Sequence, residues 1–297
     1  MSYSNRAKGY IFGAIAAITY GMNPLFALPV YADGMDAGSV LFFRYVLSLP
    51  ILATMIVLRG ESFRLSRRAI LPVGLLGLTM AFSSLTLFES YNYMAAGIAS
   101  TLLFVYPIMV AVIMAAFFRE RIKLSVVLSI AMACGGIGLL YRDDTGATLS
   151  TVGVALVVVS AIAYAIYLVW INHTEAKSVP VLTLTFYCLL SGLTIFIVRT
   201  DFATSIILPV EWYHWGNLLA LALLPTVVSL VSTTRAIQYV GSTPTAILGA
   251  LEPLTAVFFG VTVFGEPLTG RIIGGIALVL LAVVVIISGG KKSPLKD

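Results

Sequence analysis

Leu251–Pro267 reads LEPLTAVFFGVTVFGEP, and 146 positions earlier Val105–Arg121 reads VYPIMVAVIMAAFFRER, so that Pro107 falls on Pro253 and Glu120 on Glu266. The match extends without a gap from Phe82–Tyr141 over Val228–Ile287 and brings Tyr93 onto Tyr239. A shift of 144 places Gly9, Ala17, Ile18 and Tyr20 on Gly153, Ala161, Ile162 and Tyr164, which carries the repeat over nearly the whole chain. Each copy holds five hydrophobic stretches. A unit with an odd number of crossings enters its second copy from the other side of a membrane, and the expectation is an inverted repeat of the kind that builds secondary transporters.

Composition agrees. Hydrophobic residues make up 60% of the 297-residue chain and charged residues 10%, with a mean hydropathy of +1.02, whereas a soluble domain carries about 25% charge. Spans of roughly 20 apolar residues cross a hydrocarbon core of about 30 Å. They are expected near residues 9–30, 38–58, 69–90, 95–117, 124–141, 151–171, 180–199, 215–238, 243–264 and 270–288. The expected fold is therefore an all-α integral membrane protein of ten transmembrane helices in two inverted five-helix repeats, 9–141 and 151–288. Little chain is left over for a soluble catalytic domain.

The pI near 9.2 follows from the positive-inside rule rather than from a nucleic-acid partner. One set of connections carries Arg59, Arg64, Arg67, Arg68, Arg119, Arg121, Lys123, Lys177 and Arg235, and both termini are basic as well; the opposite set holds only Arg142, Arg199 and Arg271. Both termini are thus expected in the cytoplasm, with the chain in the cell's inner membrane. The first span, with Arg6 and Lys8 ahead of it and Val30-Tyr31-Ala32 behind, has features of a signal peptide. Its length and its mid-chain repeat partner argue for a retained span instead. Cys134 and Cys188 fall inside spans, where free cysteine behaves as a small hydrophobe, and no metal or disulfide spacing is present.

Ionisable groups inside a bilayer are costly and point to function. Glu252 lies about 13 Å into its span, directly before Pro253, which bends the helix and frees a carbonyl; a hydrogen-bonded glutamate tying two helices is the alternative. Arg44 sits six residues into the second span, where a substrate contact and a snorkelling anchor are both open. Glu89 and Arg235 are equivalent under the 146 shift, the first expected in or near an outer vestibule and the second at an inner one, with a positive-inside anchor the favoured reading of Arg235. Tyr20, Asn23 and Phe26 follow one another at three-residue steps, as do Tyr164, Tyr167 and Trp170, and the two sets coincide under the 144 shift. Ser84, Phe88 and Tyr91 form a further stripe, and Tyr106 precedes Pro107. Such spacing places side chains near one helical face, giving a polar-aromatic wall, although aromatics also pack helices and line interfaces. The glycines at 135, 136, 138, 274 and 275 mark a packing seam inside one molecule or between two. His173 and His214 fall in connections on opposite sides, away from any nucleophile.

Taken together, Thr19-Tyr20-Gly21-Met22-Asn23, Arg44, Tyr93 to Gly97, Tyr106-Pro107, Glu120, Glu252-Pro253 and Gly265-Glu266 resemble the EamA-type transporters of the drug/metabolite transporter superfamily. The resemblance implies ten helices in two inverted repeats, a central cavity formed by the first, third, fourth, sixth, eighth and ninth helices, and export of amino acids or other small metabolites. The first half departs from the second, with Tyr106 where the second has Glu252 and Arg119 where it has Gly265.

The expected activity is alternating access about Pro24, Pro107 and Pro253. The solute would be bound by Tyr20, Asn23, Arg44, Phe88, Tyr91, Tyr106, Tyr164, Tyr167, Trp170 and Glu252, and proton coupling would run through Glu252 or Glu89. The expected partners are a small-molecule solute, the lipid bilayer and a proton; no cofactor, metal or nucleic acid is implied, and the unit is a monomer or homodimer. A membrane enzyme lacks a catalytic constellation here. A channel suits the proline-broken repeat poorly, and a nucleotide-sugar or sugar-phosphate exchanger would call for more basic groups than Arg44 in the cavity.

Overall fold

A computed structural model describes residues 3–118, 124–140, 149–240, 248–249 and 251–289. Arg119, Glu120, Arg121, Lys123, Arg142 and the opening of the expected ninth span lie outside the described residues. Among those described, the chain is helical and contains no strand. The elements are α1 (Tyr3–Gly21), α2 (Asn23–Ala32), α3 (Ala37–Leu58), α4 (Arg67–Ser90), α5 (Ala96–Leu103), α6 (Tyr106–Phe118), α7 (Leu124–Leu140), α8 (Thr151–His173), α9 (Val181–Arg199) and α10 (Trp212–Leu221). A π-helical segment (Ala222–Val228) then leads into α11 (Ser229–Val240), followed by α12 (Leu251–Phe264) and α13 (Gly270–Gly289). Seven helical stretches are long and apolar enough to cross a bilayer, whereas Leu124–Leu139, Leu251–Phe264 and Gly270–Val285 are shorter apolar helices. Of ten full-length crossings expected, seven are met among the described residues.

Prolines divide what the hydropathy pattern joins. The first expected span is two helices, α1 and α2, parted at Met22 two residues before Pro24; the fourth is α5 and α6, parted at Phe104 and Val105 two residues before Pro107. A proline has no N–H for the carbonyl four residues back and its ring crowds that carbonyl, so the helix opens one turn upstream. The eighth expected span widens into the π segment around Pro225.

Small residues set the helix seams. Ser83 of α4 donates to the Ser160 carbonyl of α8 at 2.9 Å, and Ser160 returns a bond to the Ser83 carbonyl at 2.7 Å. On the other side of α4, a Cβ at Gly77 would collide with the Cys188 carbonyl and the Ser191 hydroxyl of α9. At α7 a Cβ on Gly136 would stand 2.9 Å from the Gly275 carbonyl and 2.7 Å from Val279, so the glycine-rich seam closes inside one molecule. Lipid-facing surfaces are the converse: Leu58 is 80% exposed and Phe117 79%. Cys134 and Cys188 are free thiols.

The two ends of the bundle differ. At one end Asp33, just past α2, accepts from the Tyr213 hydroxyl at 2.6 Å and lies 2.9 Å from His214 Nε2. His214 occupies the first turn of α10 rather than a connection, and its Nδ1 accepts the Glu211 amide at 3.4 Å, which leaves Nε2 to donate to Asp33. His173, likewise, closes α8 and packs its ring 4.2 Å from Phe118. Glu89 pairs with Arg199 at 3.4 Å. Glu266 accepts the Ala96 and Gly97 amides at 2.8 and 3.3 Å, capping α5 with a carboxylate; burial raises its pKa while the two amides pull it back. The opposite end carries the basic residues, and there Arg59, Glu61 and Arg235 border a cleft of about 340 Å³. Arg235 lays its guanidinium over the Phe12 ring at 5.4 Å.

Two outcomes test this packing. Gly77→Ala should lower the unfolding temperature in detergent by the equivalent of roughly 1–3 kcal/mol, the usual overpacking cost. Gly74→Ala on the same helix, where an added Cβ meets nothing within 4 Å, should be silent or stabilising. The Tyr213 hydrogen bond, and then that of His214, holds the Asp33 carboxyl below its ordinary pKa. A depressed carboxyl pKa contributes stability above the unfolded value and loses it as pH falls through the folded value. Asp33→Asn should therefore lower the unfolding temperature at neutral pH, with the gap to wild type closing in acid; a gap constant with pH would show that the charge contributes nothing.

Candidate functional site

The site assembles where helices break. Pro24 cannot use the Tyr20 carbonyl, and Asn23 Nδ2 donates to it at 2.9 Å. Pro253 leaves the Gly249 carbonyl, and the Glu252 amide turns back to it at 2.9 Å. Pro225 leaves the Leu221 carbonyl, which the Thr226 hydroxyl fills at 3.0 Å. In each case a polar residue beside the proline is drawn into the helix break, because an unmet carbonyl in an apolar interior costs several kcal/mol. Asn23 is 2% exposed, and its Oδ1 has no partner among the described residues.

Arg44 lies on α3 opposite the π segment. It is 5% exposed, which rules out snorkelling in this arrangement. Its Nε donates to Thr226 Oγ1 at 2.8 Å, and its guanidinium stands over the Phe88 ring at 5.4 Å. No carboxylate pairs with it among the described residues. Phe88 packs on Tyr91 at 5.4 Å, and the Tyr91 hydroxyl faces Ser100 without closing a bond of ordinary geometry. Tyr31 donates to the Phe88 carbonyl at 3.3 Å, and Tyr45 pairs its hydroxyl with Ser84 at 3.4 Å.

Glu252 opens α12, where Gly21 of α1 crosses so closely that a Cβ would strike the Glu252 carbonyl. Tyr20, Tyr91, Tyr106 and Tyr164 lie around it. Tyr106 meets Tyr164 edge-on at 4.8 Å, and Tyr164 stacks on Tyr167 at 5.9 Å. Tyr20, Tyr106, Tyr164 and Glu252 are only half-buried despite their central place, which makes them a partly open polar and aromatic wall. Tyr20 also lies within electrostatic reach of Arg44.

The structure thus gathers Tyr20, Asn23, Arg44, Phe88, Tyr91, Tyr106, Tyr164, Tyr167 and Glu252. It does not gather Trp170, which is 40% exposed. A three-residue step turns an α-helix by about 300°, so the second step leaves Trp170 about 120° away from Tyr164. Glu89 sits apart as well, at the end of α4 in its pair with Arg199. Sequence reading missed Thr226 and Pro225; the signal available was a proline with a hydroxyl residue directly after it inside an apolar run. Among the described residues no group of His, Cys, Asp and Glu could hold a metal.

Comparison with known proteins bears on this arrangement. The family model described as the EamA-like transporter family matches residues 7–142 and 151–288. An uncharacterized transporter of Archaeoglobus fulgidus is 24% identical over 82% of this chain and 86% of its own length. A second from the same organism is 31% identical over 71% of this chain and 75% of its own, and an uncharacterized transporter of Synechocystis sp. is 29% identical over 71% and 64%. A solved crystal structure superposes with a TM-score of 0.69 at 16% identity, over 94% of this chain and 96% of its own, a likeness of fold. Proline-broken apolar helices around a half-buried wall and a family match along both halves lead to one conclusion: this multi-pass membrane protein belongs to the EamA-like transporter family.

Proposed function

We propose that the chain is a secondary transporter exporting amino acids or similar small amphipathic metabolites. Two inverted five-helix repeats, 9–141 and 151–288, would make up ten crossings in the inner membrane with both termini cytoplasmic, and the solute would bind between them. The observation that carries this reading is the coexistence, around one wall of tyrosines, of a buried cation without a counter-ion and a carboxylate without a cation among the described residues. Burying an unpaired charge is expensive, and a solute bearing both signs would compensate both. Arg44 would take its carboxylate; Glu252 and the unmet Asn23 Oδ1 would take its ammonium. The tyrosines would favour an apolar or aromatic body. A sugar-phosphate solute fits less well, since Arg44 is the one cation at this wall among the described residues.

Motion would centre on the breaks at Pro24, Pro107 and Pro253, where fewer backbone hydrogen bonds resist bending. The ties at Asp33, Glu89 and Glu266 would close the outer end, and the cleft between Arg59 and Arg235 would be a cytoplasmic vestibule. Proton coupling would run through Glu252, which has no ion-pair partner among the described residues.

Proteoliposomes loaded with unlabelled solute should show saturable counterflow of labelled aromatic or branched amino acids. Conductance without saturation would identify a channel instead. Glu252→Gln should raise the KM for counterflow, since the ammonium loses its counter-ion, and the counterflow that remains should lose its dependence on an imposed pH gradient; intact coupling in that variant would remove Glu252 from the proton path.

A further inference from the structure

We infer that Thr226, set by the π segment, is the positioning residue that aims the Arg44 guanidinium at an anionic group of the solute. The inference rests on the transport reading above and adds to it a residue outside the aromatic wall.

The geometry fixes the polarity of the contact. A hydroxyl has one proton, and that of Thr226 goes to the Leu221 carbonyl at 3.0 Å. Pro225 stands where the α-helical donor of this carbonyl would be, and the chain takes a π turn there. The Thr226 oxygen is therefore left as an acceptor, and Arg44 Nε donates to it at 2.8 Å. Ser48 binds the same region from the backbone side, with its hydroxyl 2.7 Å from the Arg44 carbonyl and 3.3 Å from the Ala222 carbonyl. Backbone and side chain of Arg44 are thus both referenced to one short stretch, residues 221–226.

The chemistry explains why a hydroxyl stands there. A carboxylate in place of Thr226 would orient the guanidinium but also neutralise it, and a solute would have to displace or compete with it. A neutral acceptor holds Nε without cancelling the charge. The two terminal nitrogens, which present the planar fork that matches a carboxylate, have no acceptor among the described residues. Phe88 beneath the guanidinium supports the plane through its ring face without occupying the fork. π-helical turns recur at functional sites because the extra residue per turn redirects one side chain, and Thr226 is the residue redirected here.

The test is counterflow of labelled phenylalanine in proteoliposomes, with phenylpropionate and phenethylamine as competitors. Thr226→Val keeps the branched shape and removes the hydroxyl. It should raise the KM for phenylalanine about tenfold or more, as expected for one hydrogen bond to a charged group, with the maximal rate retained. Competition by phenylpropionate should weaken in parallel while that by phenethylamine stays unchanged. Thr226→Ser should restore the wild-type values, and Thr226→Val combined with Arg44→Gln should be no worse than Arg44→Gln alone. Wild-type kinetics in Thr226→Val, against a clear defect in Arg44→Gln, would overturn the positioning role and leave the transport reading standing. Equal weakening of both competitors with a fall in unfolding temperature would also overturn it, in favour of a packing role. Phenylalanine counterflow that is absent, or indifferent to Arg44→Gln, would defeat the transport reading itself.

Discussion

Every backbone carbonyl inside this bundle must find a donor, because neither lipid nor apolar side chains supply one. That constraint governs the centre of the molecule. Proline removes the donor at chosen places, and the carbonyls it strands are taken by the Asn23 amide, the Glu252 backbone and the Thr226 hydroxyl. The Asn23 and Thr226 side chains therefore also repair helix breaks, whereas Glu252 does so through its backbone amide. Bending points and chemistry coincide because one residue type, proline, creates the need for both.

Charge is treated differently at the ends and in the middle. Asp33 with His214 and Tyr213, and Glu89 with Arg199, are satisfied pairs near the surface, where such pairs contribute little net energy and serve to hold elements together. Glu266 is satisfied by the first amides of α5. In the middle, Arg44 is held by a neutral oxygen and a ring face, and Glu252 has no ion-pair partner among the described residues. Unbalanced charge at depth is tolerable when a mobile partner can supply the balance, which is the physical basis for reading the wall as a solute site.

Much of the architecture was legible in the residues. The repeat, the apolar composition and the prolines led to a helical membrane protein with its polar groups near helix breaks, and Arg44, Glu252 and the paired tyrosines came together. Trp170 stands away from the wall because a stripe at three-residue steps drifts around a helix of 3.6 residues per turn. Thr226 was passed over because a threonine in an apolar run looks like any β-branched core residue, and its role appears only with Pro225 before it and Arg44 opposite it, 182 positions earlier in the chain.

By itself the sequence determined that the chain is apolar, duplicated and broken by prolines at particular depths, since these follow from local composition and from the covalent geometry of one residue type. Only the tertiary structure decided which freed carbonyl meets which side chain, that Arg44 is buried without a counter-ion among the described residues, and that the glycine seam of α7 and α13 closes within one molecule. Those outcomes depend on contacts between residues far apart in the chain, where fractions of an ångström separate a hydrogen bond from a vacancy, and no pattern along a single helix carries that information.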